Sequence, residues 1–178
     1  MIRWWLAGQV MFGKYRCVVC GVIAATLFVG EAWAEEKEPV AILEIGGSGN
    51  WNMSDPSSFG PTVAIEFTPI ENWLEIEVGT GPMFGRGIRE WDTDILFKKP
   101  FTLSDKVEFM IGAGPQWGSA FSGPTNAGIE IAGDFMFWPW PDRKLGWFLE
   151  PSYSYSFIGD HEQSLGLSIG LLIPIYGK

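Results

Sequence analysis

One histidine and a large population of carboxylates are the groups in this chain with chemistry to offer. His161 stands among Asp160, Glu162 and Ser164. Histidine, acid and serine are the residue types of a nucleophilic triad. Ser164, however, follows His161 by three residues and points, by the alternation described below, away from the apolar face. A histidine in a polar turn accounts for the same residues more simply. The carboxylates recur by twos, as in Glu75 and Glu77, or Glu90, Asp92 and Asp94. That spacing sets oxygens along one face of an extended strand. Oxygen is the donor that calcium and magnesium take, so one expectation is a divalent cation among Glu75, Glu77, Asp92 and Asp94. The acids have three other ways to be carried: water at strand ends, pairing with Arg86, Arg89, Lys106 or Arg143, and protonation where they crowd in a dry setting. No cofactor is expected.

The element that fixes how these groups point is the last one, residues 164–175, SLGLSIGLLIPI. Leu165, Leu167, Ile169, Leu171, Ile173 and Ile175 share one parity; Ser164, Gly166, Ser168, Gly170, Leu172 and Pro174 share the other. This is the period of a β-strand, with one aliphatic face and one face that is mostly small or polar.

The same alternation recurs upstream and predicts seven more strands, over 40–50, 62–68, 73–81, 88–98, 106–117, 125–138 and 146–157. On each, Glu44, Glu66, Glu75, Glu77, Glu90, Asp92, Asp94, Glu108, Glu130, Asp134 and Glu150 take the small-residue parity, with Lys98 as the clearest base among them. Eight strands leave no room for a helix. An even count brings both termini to one end and leaves loops over 47–59, 80–87, 118–124 and 158–163 at the other.

The N-terminus reads as an address. Arg3, Lys14 and Arg16 precede an apolar stretch over 17–30 that is too short to span a bilayer as a helix, followed by Ala32-Trp33-Ala34. This is the layout of a secretory signal peptide, which gives residues 1–34 as signal and 35–178 as one domain. Both cysteines, Cys17 and Cys20, fall in the signal, so the mature chain carries no disulfide and no thiolate site. The signal holds three bases and one acid. The mature chain is therefore two units more acidic than the whole chain's −9, which argues against nucleic acid as a partner.

A soluble barrel would turn the aliphatic parity inward; a membrane barrel would turn it to lipid. Trp91, Trp147, Tyr153 and Tyr155 on the apolar parity suit an interfacial aromatic girdle, as do Trp51, Trp73, Trp117, Trp138 and Trp140 near strand ends. Gly112, Gly114, Gly128, Gly166 and Gly170 crowd the charged parity, as a narrow lumen requires. The expected fold is an all-β, eight-stranded, antiparallel up-and-down transmembrane β-barrel.

On these residues the chain resembles the small eight-stranded outer-membrane barrels of Gram-negative bacteria. Its end, Ser168, Gly170, Ile173 and Ile175, resembles the signal read by the barrel-assembly machinery, although Tyr176-Gly177-Lys178 follow where such barrels usually end on Phe. Residues 145–173, with Leu149-Glu150-Pro151 and His161-Glu162-Gln163, resemble an uncharacterised group of small barrels. Some outer-membrane barrels that act on lipid A use a His, an acid and a Ser two residues after the His; here that position is Gln163. The resemblance implies a monomer among outer-membrane lipids with a structural, surface-contact or envelope-integrity role. Eight strands enclose little more than their own side chains, so no open pore is expected. The alternatives are a lipid A or phospholipid-modifying enzyme and a periplasmic soluble barrel holding a small apolar ligand.

Overall fold

A computed structural model of the chain describes residues 39–52, 57–86, 89–120, 125–158 and 161–177. The proposed signal peptide lies outside them. Eight antiparallel strands follow in order: β1 (Ala41–Asn52), β2 (Ser58–Ile70), β3 (Leu74–Gly85), β4 (Arg89–Ser104), β5 (Val107–Ala120), β6 (Thr125–Phe137), β7 (Gly146–Ser156) and β8 (Gln163–Ile175). Each pairs with its sequence neighbour, and β8 pairs with β1 to close the barrel. Closure satisfies the backbone groups that an open sheet would leave bare in lipid.

The alternation sets the faces. Ile45, Val63, Ile65, Phe67, Phe97, Ile111, Ile131, Leu167 and Ile169 are exposed on the outside. Glu44, Glu66, Glu77, Lys98, Asp134 and Glu150 are buried inside. This polarity is the reverse of a soluble protein's, and it excludes the apolar ligand cavity of the soluble alternative. On β8 the outward residues run from Leu165 to Ile175. About ten steps of about 3.4 Å, tilted by about 40°, rise about 26 Å, the height of an outer-membrane apolar band. Exposed Trp73, Phe101, Trp140, Trp147 and Tyr176 ring the end that holds the termini; Trp51, Phe59, Phe84, Trp91 and Phe157 ring the other.

Trp138 departs from the expected girdle. It is 2% exposed and lies inside with Met110, Met136, Phe148 and Leu172. These five side chains form an apolar floor at the terminal end of the lumen. Trp138 keeps the parity of Asp134 and Met136 one step past β6, where its backbone N–H donates to Lys106 O (2.8 Å).

Several strands outrun their expected ends. Residues 51–52, 58–61, 82–85, 99–104 and 118–120, beyond the expected strand ends, lie within the strands. The far turns are correspondingly tight: Trp73 N donates to Ile70 O (3.1 Å) around Asn72, whose φ is 57°.

Pro115 and Pro151 lie in strand interiors. Pro115 keeps register with Ile129 on β6, while the β4–β5 ladder lapses between Asp94/Gln116 and Phe97/Ala113. Pro151 keeps register with Leu167 on β8, while the β6–β7 ladder lapses between Ala132/Ser152 and Phe135/Leu149. Each proline thus loses its bond towards one neighbour and leaves the other ladder whole, because a strand N–H faces one side only.

Candidate functional site

The lumen above the apolar floor is where the chain's ionisable groups meet. Lys98 comes inward from β4 between the paired residues Glu75 and Gly112. It is 1% exposed. A Cβ on Gly112 would stand 2.6 Å from Lys98 Cγ, so a glycine there makes room for the lysine stem. The Lys98 ammonium donates to Glu77 from β3, to Asp134 Oδ2 from β6 (3.3 Å) and to Glu150 Oε2 from β7 (2.5 Å). One cation therefore ties four strands together, using all three of its protons.

Lys98 does not reach every acid. Glu44, Glu66, Glu77 and Asp134 each turn one oxygen into a group lying within 4.8 Å of one another. Both oxygens of Glu66, together with Glu44 Oε1 and Asp134 Oδ1, are buried with no hydrogen-bond partner. These four, not the expected Glu75, Glu77, Asp92 and Asp94, are the acids that converge among the described residues. Glu75 pairs in register with Lys98 at the half-buried edge of the group, and Asp92 and Asp94 lie further towards the loops.

Above the cluster a cavity of about 70 Å³ is lined by Glu44, Glu77, Asp94, Glu130, Glu150 and Ser152, among others. A wider chamber of about 200 Å³ follows at the loop end, with Glu90, Asp92, Gln116, Trp117, Glu162 and Ser164 in its wall. Asn50, Asp92, Gln116 and Ser154 border both, so the two spaces meet. Small residues again seat the acids. A Cβ on Gly79 would lie 2.7 Å from Asp94 Oδ1, and one on Gly118 would lie 2.9 Å from Asp92 Oδ1.

Glu108 belongs to the opposite end. Its Oε1 accepts from Arg143 Nη1 (2.6 Å) and its Oε2 from the Trp138 indole (3.3 Å). Of the bases expected to reach in, Arg143 does so; Arg86 and Lys106 are exposed, and the Arg89 side chain lies outside the described set.

His161 and Ser164 are not brought together as a catalytic pair. His161 is exposed, with a φ of 57°, and its ring stacks on Tyr155 at 6.0 Å between centroids. Ser164 is buried and shares a hydrogen bond with Ser154 (2.6 Å). Glu162 accepts from Asn52 Nδ2 (2.9 Å), and Asp160 lies outside the described residues.

The expected assembly signal spans two settings. Ser168 and Gly170 lie on the β1–β8 seam, where Ser168 Oγ donates to Ser48 Oγ (3.1 Å) and Gly170 faces Gly46. Ile173 and Ile175 lie on the outward parity near the terminal end, with Ile175 exposed.

No protein-family model and no curated protein matches this sequence. Solved structures do match in fold. Neisserial surface protein A (NspA) superposes with a TM-score of 0.59 at 13% identity, over 76% of this chain and 96% of that one. The N-terminal β-barrel domain of Pseudomonas aeruginosa OprF gives 0.53 at 12% identity, over 74% of this chain and 97% of that one. This is the fold of the small eight-stranded outer-membrane barrels. A de novo designed transmembrane β-barrel also matches, at 0.51 and 12% identity, over 77% of this chain and 98% of that one. A designed barrel among these likenesses underlines that they are likenesses of architecture, and the lumen must be read from its own residues.

Proposed function

We propose that residues 1–34 are removed on export and that the mature chain inserts into the outer membrane as a monomer, delivered by the barrel-assembly machinery. There it serves a structural, surface-contact or envelope-integrity role and conducts no through-current. The observation that carries this reading is the inverted polarity. An exposed aliphatic belt between two aromatic rings encloses buried Glu66, Lys98 and Asp134. In water such a belt would be an aggregation surface; in lipid it is solvated.

The absence of a pore rests on the floor of Met110, Met136, Trp138, Phe148 and Leu172, packed across the lumen. The apposition of NspA in fold, a surface protein by its name, agrees with a surface role without specifying it.

The test is fractionation with gel mobility. The protein is expected in the outer-membrane fraction, running faster unboiled than boiled. A soluble periplasmic protein with unaltered mobility would overturn the reading. In planar bilayers the protein is expected to give no step conductance above baseline, and a steady ohmic pore would refute the closed lumen.

A further inference from the structure

Four carboxylates converge above the apolar floor, and one of them receives no donor from the described residues. Glu66 is 1% exposed, and neither of its oxygens has a hydrogen-bond partner. It turns an oxygen into the same space as Glu44, Glu77 and Asp134. A buried carboxylate that no donor meets is among the costliest groups a protein can hold.

Among the described residues, protein cations do not close the account. Lys98 reaches the group and is already committed to Glu77, Asp134 and Glu150. It takes one oxygen of Asp134 and leaves Oδ1 buried and unpartnered, and Glu44 Oε1 is in the same condition. Arg143 is engaged with Glu108 at the terminal end.

We propose that Glu44, Glu66, Glu77 and Asp134 form a binding site for a calcium-class divalent cation inside the barrel. The donors are all oxygen, the ligand set of a hard cation. Their span of up to 4.8 Å suits calcium, whose oxygens sit about 2.3–2.6 Å from the ion and so up to about 5 Å apart. Magnesium demands a tighter octahedron of about 2.0–2.1 Å and gives up its water reluctantly. The cavities above the cluster supply an entry path, lined by Asp92, Asp94 and Glu130, that attracts cations along its length. Asn50 Oδ1, another buried oxygen without a partner, lies on that path.

The site goes beyond the envelope role proposed above and is tested apart from it. The protein is purified from membranes in detergent, stripped with chelator, and titrated with calcium or magnesium ions by equilibrium dialysis and by thermal loss of the fast-running folded band. The expected result is saturable binding of one calcium per barrel, a higher melting temperature, and weaker response to magnesium. Glu66→Gln and Asp134→Asn are each expected to lower calcium affinity about tenfold or more, because charge count sets affinity in oxygen sites. Glu71→Gln, exposed in the turn after β2, is expected to keep it. No saturable calcium binding by the folded wild-type barrel would overturn the proposal; protons would then neutralise the cluster. Unchanged affinity in Glu66→Gln would overturn it equally. Should Asp134→Asn lose its folded mobility, Glu66→Gln decides, since Glu66 is not among the acids that Lys98 holds.

Discussion

Glu66 and Glu77 stand directly opposite each other on β2 and β3, both pointing inward and both buried. Like charges in register repel, and a sheet that holds such a pair must answer it from elsewhere. Lys98, from the next strand, donates to Glu77 and not to Glu66. The stability of the barrel therefore depends unequally on residues that look equivalent in sequence.

Lys98→Met is expected to be the most damaging single change in the lumen. It strands Glu77, Asp134 and Glu150 without their shared donor. Breaking a buried ion pair from one side costs about 3–5 kcal/mol. Urea titration of the folded band in detergent should show the midpoint fall accordingly, and a shift under about 1 kcal/mol would mean that water already screens the network.

Glu66→Gln should act with the opposite sign. In chelator the substitution removes a buried charge that no donor satisfies, so stability is expected to rise by about 1–3 kcal/mol. Glu77→Gln, which weakens a made ion pair, should lower it in the same titration. If both variants move the midpoint the same way, the two acids are not distinguished as their partners indicate.

The seam gives a third expectation. Gly170 faces Gly46 where β8 meets β1, and a Cβ at Gly170 would lie 2.3 Å from Ile45 O and 2.7 Å from Phe148 Cε1. Gly170→Ala is therefore expected to prevent closure, seen as loss of the fast-running band after refolding into detergent without any assembly machinery. Normal refolding there, with failure only in cells, would assign Gly170 to recognition by the machinery instead.

Trp138→Ala removes the largest side chain of the floor and breaks its bond to Glu108. Truncating a buried tryptophan costs about 3–5 kcal/mol. Beyond that loss, the variant should show current fluctuations in planar bilayers that the parent lacks. A silent variant would place the barrier to ions higher in the lumen.

The strands and their faces were legible because alternation is local: each residue's side follows from its neighbours'. The same rule, carried four residues past Asp134, turns Trp138 inward; its place next to Pro139 and Trp140 made it look like girdle instead. Strand ends were less legible. Residues 80–85, TGPMFG, hold three small residues and a proline and carry no clear alternation, yet they pair with β4 from Thr80↔Thr93 to Phe84↔Arg89. Which of the inward acids converge was not legible, because they come from four strands and depend on register. Glu66 meets Glu77 only through the Pro69–Asn72 turn and the bulge beside it, between Phe67 and Ile70. The functional weight of His161 was legible in one respect: parity already separated it from Ser164.

The floor of Met110, Met136, Trp138, Phe148 and Leu172 has a thermodynamic corollary. With the lumen closed at that end, as proposed above, the barrel is a vessel with one mouth, and such a vessel equilibrates with one compartment. Whatever enters past Glu90 and Asp92 leaves by the same door, so gradients across the membrane do no work on it. Its occupancy is a record of the medium bathing the loops, indifferent to the composition on the side of the termini.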